Sequence, residues 1–151
     1  MATVELSFTP LPAHVRTARL VATAVARRSG VDESLLDEVR LAVGEACSRA
    51  VEGHQLYCPA EPVRLCLTDL AGRFEVEVTD TCAPGLRRSG GPGGSGVAGD
   101  PPGNAAVAAE AGVPAGLGVA VIEGLADEVQ INETAAGTSI RMSWPSAGAT
   151  R

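Results

Sequence analysis

At 151 residues, with 45% hydrophobic but only 3% aromatic side chains, the chain fits a single domain whose core rests on Ala, Val and Leu. A formal net charge of −6 argues against a nucleic-acid partner, because affinity there comes largely from neutralising phosphates. All 12 basic residues are Arg, and the missing Lys excludes both a Walker A phosphate loop and Schiff-base catalysis.

No apolar run approaches the ~18 residues of a membrane span. The start, "MATVELSFTP", lacks a basic segment followed by an apolar block, so it does not read as a signal peptide. The expectation is a soluble, cytoplasmic protein with no membrane partner. The cysteines at 47, 58, 66 and 82 contain no C-x-x-C pair, and only His14 and His54 could add nitrogen ligands. In a cytoplasmic chain they are expected as reduced thiols packed as small apolar groups.

In chain order, "TVELSF" alternates Val4, Leu6 and Phe8 against Glu5 and Ser7, a half-buried strand. "PLPAHVRTARLVATAVARRSG" reads as a helix, with prolines at its start and Gly30 after its last turn. Asp32 is placed to cap a second helix over about 33–53, with Leu36, Val39, Val43, Ala46, Cys47 and Ala50 on one stripe and Gly53 at its stop. "HQLYCPAEP" is expected as a loop. "VRLCLTDL" and "FEVEVTD", joined by "AGR", read as a hairpin by their alternation. Residues 84–112 are rich in Gly and Pro and too long for an ordinary connection, which marks a functional or disordered insert. A helix over about 117–126 follows, and "EVQINE" and "TSIRMSW" close the chain as strands.

Clean alternation in nearly every strand describes a sheet with one packed and one wet face. The fold class expected is therefore an α/β (α+β) two-layer sandwich. Its sheet is mainly antiparallel and mixed, with three helices on one face.

Four features could carry chemistry. "GPGGSG", Gly91 to Gly96, matches G-x-G-x-x-G, but the "VAGDPPG" that follows cannot continue as the helix a dinucleotide site needs. "GLG", Gly116 to Gly118, sits where the insert becomes a helix. Outward N–H groups there suit an anion, while loop flexibility and close packing explain the glycines equally well. Asp80 ends a strand, where it can serve turn chemistry or accept a hydrogen bond from a base amino group. Glu45 and Arg49 stand one helical turn apart, in the orientation favoured for a surface ion pair worth ~0.3–0.5 kcal/mol. His54, just past the expected helix end, reads as a surface residue.

"LDEVRLAVGEACSRAV", "FEVEVTDTCAPG", "GLGVAVIEGLADEVQI" and "GTSIRMSW" occur in this order around the insert. With this ordered set the chain resembles the anti-sigma-factor serine/threonine kinases of the SpoIIAB/RsbW type, in the GHKL (Bergerat-fold) ATPase superfamily. The likeness runs from the first strand to Trp144. It implies one GHKL domain over 1–145, the 84–112 insert as ATP lid, and a disordered tail at 146–151.

By position the resemblance makes Glu45 the general base that activates a serine hydroxyl of a protein substrate. Asp80 becomes the adenine-binding residue, supported by Thr138. Arg49, Gly85, Gly116, Leu117 and Gly118 fall at nucleotide-binding positions. The cofactor implied is ATP with Mg²⁺. The partners implied are a sigma factor and an anti-anti-sigma protein of the STAS fold, bound by a homodimer. The alternative is a non-kinase binding module of the same fold that only sequesters its partner. A histidine-kinase ATPase domain is a third reading, disfavoured because neither histidine sits in a phospho-accepting helical context. Arg16 and Arg19 on the first helix would offer an exposed basic patch to an acidic partner groove.

Two departures from the family pattern bear on mechanism. The E-A-x-x-N pattern, whose Asn coordinates Mg²⁺, here reads Glu45-Ala46-Cys47-Ser48-Arg49. A guanidinium has no lone pair for a metal. At ~4 Å and an effective dielectric near 20 it repels Mg²⁺ by on the order of 8 kcal/mol before relaxation. It could instead pair with nucleotide phosphates bidentately. In the D-x-G-x-G turn, Cys82 and Pro84 replace flexible positions, which narrows nucleotide access.

Overall fold

Strict period-two patterning yields five strands in the computed structural model, which describes residues 2–82, 117–134 and 137–147. The strands are β1 (Ala2–Phe8), β2 (Val63–Leu70), β3 (Arg73–Asp80), β4 (Glu128–Thr134) and β5 (Gly137–Pro145). The helices are α1 (Pro12–Arg28), α2 (Leu36–Tyr57) and α3 (Leu117–Leu125). Residues 84–112, with Gly85 and the "GPGGSG" run, lie outside the described residues, as does Gly116; Leu117 and Gly118 are described in backbone only.

The sheet order is β1-β2-β3-β5-β4. Every neighbouring pair among the described strands is antiparallel, so the expected mixed sheet carries no parallel pair here. Two hairpins enforce this. Gly72 supplies the positive φ of 80° between β2 and β3, and Gly137, with φ 150°, opens β5 after β4.

Register aligns the apolar sets into rows across the sheet: Val4, Leu67, Val76, Met142 and Val129 in one, Leu6, Leu65, Val78, Ile140 and Ile131 in the next. The central members are buried, whereas Val4 and Ile131 on the two edge strands are 38% and 43% exposed. The core therefore centres on β2, β3 and β5 beneath the helices. On the opposite face Glu77 pairs across the sheet with Arg141 at 3.5 Å, as expected of a wet surface. The two-layer architecture expected from the sequence is the one observed.

Small residues let the helices approach closely. Ala18, Ala22 and Ala26 recur at i+4 on α1, all buried, and α2 presents Ala42, Ala46 and Ala50 among Val39 and Val43. α2 packs between α1 and α3. This is how a core with 3% aromatic residues closes. Its largest side chain, Trp144, is fully buried and donates Nε1–H to the Leu125 carbonyl at 3.0 Å, tying β5 to the end of α3.

Three expectations on the helices need correction. Asp32 caps a short 3-10 turn, Glu33–Leu35, through the Ser34 N–H at 2.9 Å; α2 begins only after it. Gly53 does not stop α2, which runs one turn further to Tyr57 because His54 is anchored inside the protein. Arg19 is not part of an exposed patch. Arg16 is exposed, but Arg19 lies half-buried across α2, its Cδ only 2.6 Å from where a Cβ on Gly44 would stand. Gly44 is the residue that admits it.

Cys47 does follow the apolar-packing expectation. Burial pushes its thiol up to about 12, well above the ordinary range of a free thiol, against a smaller opposing pull from the Arg19 guanidinium. The folded state thus holds a proton that the unfolded chain releases between pH 9 and about 12. Stability contributed by the neutral thiol is full below pH 9 and falls as pH rises through that window. Near pH 10 the wild type should lose stability by up to about 1.4 kcal/mol per pH unit more than Cys47→Ala. Urea unfolding at pH 8 and pH 10 measures this, and equal slopes in the two proteins would contradict it.

Candidate functional site

Two groups of side chains hold the candidate residues, and α2 contributes to both. The first lies at the ends of β3, β5 and α2. Asp80 is the last residue of β3 and shares the helix-facing parity of Val76 and Val78. It stands opposite Thr138 in the β3–β5 register, so the two residues assigned to adenine by resemblance are brought side by side. Asp80 is 5% exposed, and its Oδ1 accepts the Cys82 N–H at 2.7 Å. A Cβ on Gly137 would meet the Asp80 carbonyl oxygen, so only glycine permits β5 to start this close to the turn.

His54 completes this end of the site, and the sequence reading of it as a surface residue is wrong. It is 0% exposed. Nε2 accepts the Thr81 N–H at 3.0 Å, which requires a lone pair there and places the ring proton on Nδ1. Nδ1–H then donates to the Glu61 carbonyl at 2.8 Å. One neutral imidazole thereby joins α2, the 58–61 turn and the residue after Asp80, with Nε2 3.5 Å from Asp80 Oδ1. The reason is topological: α2 must end where β3 ends, and only a residue with both a donor and an acceptor ties those backbones.

The expectation of four reduced thiols also fails. Cys58 and Cys82 form a disulfide across 24 residues, while Cys47 and Cys66 remain free. Cys58 caps α2, its N–H bonded to the His54 carbonyl at 2.8 Å. His54, Cys58 and Cys82 hold ligand-type atoms within 4.8 Å of one another. With the sulfurs joined, however, neither carries the thiolate charge that binds a metal.

The second group sits higher on α2. From His54 back to Glu45 is nine residues, or ~14 Å of helix axis at ~1.5 Å per residue. Glu45, Arg49 and Glu52 form a half-buried stripe at i, i+4 and i+7. Among the described residues no ion pair joins Glu45 to Arg49. They share one electrostatic neighbourhood all the same. Burial first, then the Glu45 charge, push the Glu52 carboxyl up, and Arg49 opposes both. This stripe does not fit Mg²⁺. A fixed guanidinium stands between the two carboxylates and supplies the positive charge that an ion would bring.

The residues 8–144 match the family model of the histidine kinase-like ATPase domain. The chain belongs to that family. Its fold is the GHKL (Bergerat) type, and the ATPase domain implies ATP as the ligand class. No curated protein sequence matches it. Among solved structures it is similar to the RsbU and RsbW domains of a protein from Mycobacterium tuberculosis, with a TM-score of 0.64 at 19% identity. That likeness covers 99% of this chain and 34% of the other, so this chain spans about a third of the length of that solved chain. Among the described residues no helix is long and apolar enough to cross a membrane.

Proposed function

We propose that this ATPase domain is a cytoplasmic, nucleotide-binding regulator of the anti-sigma type. It switches between a sigma factor and an anti-anti-sigma protein of the STAS fold, as a homodimer. The observation that carries the nucleotide reading is buried Asp80 standing opposite half-buried Thr138 where β3 ends and β5 begins, beside the C-terminal end of α2. A buried carboxylate there selects a base that presents an amino donor, which is adenine and not guanine at the corresponding edge. Gly85, Gly116, Leu117 and Gly118 would close on the phosphates, their N–H groups serving as anion donors. Arg49, five residues or about 7.5 Å of helix axis from His54, would meet the phosphates and neutralise them without a metal.

A second reading, transfer of the terminal phosphoryl group to a partner serine, is favoured by Glu45. It falls at the position that the resemblance assigns to the general base, whose carboxylate would take the hydroxyl proton. Arg49 weighs against that activity, because no metal-assisted step fits the stripe. The resulting function is binding and sequestration governed by nucleotide, with Arg16 as an exposed charge on the α1 surface for an acidic partner.

Calorimetric titration of the full chain with ATP and, separately, GTP tests the adenine reading. ATP is expected to bind, and GTP at least about 30-fold more weakly, as for a site whose carboxylate would be left facing a carbonyl. Failure of ATP to bind, or equal affinity for both, overturns it.

A further inference from the structure

Three observations converge on the end of α2 and none is explained by nucleotide recognition alone. The disulfide joins the residue that caps α2 to the residue two positions after Asp80. Cys82 uses its backbone N–H to hold Asp80 Oδ1. Thr81, between them, is held by the His54 ring. The Asp80–Cys82 turn is therefore pinned at three successive residues, and the covalent pin is the only one that redox chemistry can remove.

We infer that Cys58–Cys82 is a thiol–disulfide switch that sets the affinity of the adenine site. This rests on the nucleotide reading of Asp80. Oxidised, the disulfide holds the Cys82 N–H against Asp80, so the carboxylate is preorganised for the base. Reduced, Cys82 is tethered to α2 no longer, and ordering of the turn must be repeated each time nucleotide binds. The position is selective. Cys47 is buried within the helix layer and Cys66 lies on the sheet away from the turn, and neither is paired. In a reducing compartment disulfides are characteristically transient and redox-sensing.

The chemistry balances with a dithiol as reductant. One of its thiolates attacks Sγ of Cys58, at 8% exposure the more accessible of the two against 1% for Cys82. The S–S bond breaks and Cys82 leaves as a thiolate that takes up a proton. The second thiol of the reductant then displaces Cys58 as a thiol and becomes the oxidised cyclic disulfide. Two electrons pass from reductant to protein, and a small-molecule disulfide reverses the exchange.

The test is ATP titration of the full chain before and after dithiothreitol, with thiols counted by alkylation in denaturant. Two labelled cysteines before reduction and four after are expected, with affinity for ATP about tenfold weaker in the reduced protein. Cys58→Ser/Cys82→Ser should bind as the reduced protein does and be indifferent to dithiothreitol. Reduced wild type carries the test even if that variant folds poorly. A disulfide that only stabilises the fold would lower the melting temperature on reduction and leave the affinity unchanged, which overturns the switch while the nucleotide reading stands. Tighter binding after reduction, or four labelled thiols beforehand, also overturns it. Absence of ATP binding in both states overturns the nucleotide reading and the switch together.

Discussion

Asp80→Asn is expected to lower ATP affinity by about 100-fold while leaving the fold intact. The substitution is nearly isosteric, and its amide oxygen can still accept the Cys82 N–H that Asp80 Oδ1 takes at 2.7 Å. What changes is the charge and the donor pattern offered to the base. A hydrogen bond to a charged acceptor contributes ~1.5–3 kcal/mol, and an amide N–H turned toward an amino group adds a mismatch. Together these correspond to about two decades in dissociation constant. Calorimetry with ATP reads the loss, and urea unfolding of the same variant checks that stability stays within about 1 kcal/mol of wild type. Unchanged ATP affinity would remove Asp80 from the site.

His54→Ala is expected to be the most destabilising single substitution in the helix layer, at about 4 kcal/mol. The ring is fully buried and makes two hydrogen bonds to backbone groups that have to be satisfied, the Thr81 N–H and the Glu61 carbonyl. Removing it strands both groups, each at ~1–3 kcal/mol, and leaves a cavity where the ring stood. Against a net stability of ~5–15 kcal/mol for a typical domain, that is a large share. The loss should appear in urea unfolding as a lower midpoint. A cost under about 1 kcal/mol would mean that the 80–82 turn does not depend on the ring.

The sheet and its layer were legible because burial imposes a period of two. Val63, Leu65 and Leu67, and Phe74, Val76 and Val78, face the helices as their alternation requires. Their register then carried Asp80 and Thr138 to opposite positions without any further signal. Apart from Asp32, whose cap partner Ser34 is local, the misreadings concern residues whose partners lie further along the chain. Gly53 looked like a helix stop because glycine is common there, but the anchoring of His54 to Glu61 and Thr81 outweighs a helical glycine's cost of ~1 kcal/mol. The spacing of Cys58 and Cys82 is silent about pairing, since the ends of α2 and β3 meet only once the sheet has formed. One cue was present in hindsight: His54 and Cys58 stand at i and i+4. Arg19 was misplaced for a similar reason, as the gap above Gly44 exists only where α1 crosses α2.

The proposed nucleotide site turns on Arg49, which stands where the resemblance leads one to expect a metal-binding Asn. Titration of wild type with ATP, once in EDTA and once with excess Mg²⁺, beside Arg49→Asn under both conditions, tests that most directly. The wild type should bind ATP in EDTA and gain less than about threefold from Mg²⁺, because its guanidinium already neutralises the phosphates. Arg49→Asn should lose affinity in EDTA and recover it with Mg²⁺. Wild-type binding that appears only with Mg²⁺ would contradict the account: Arg49 would then stand clear of the phosphates and the site would be that of a metal-dependent kinase.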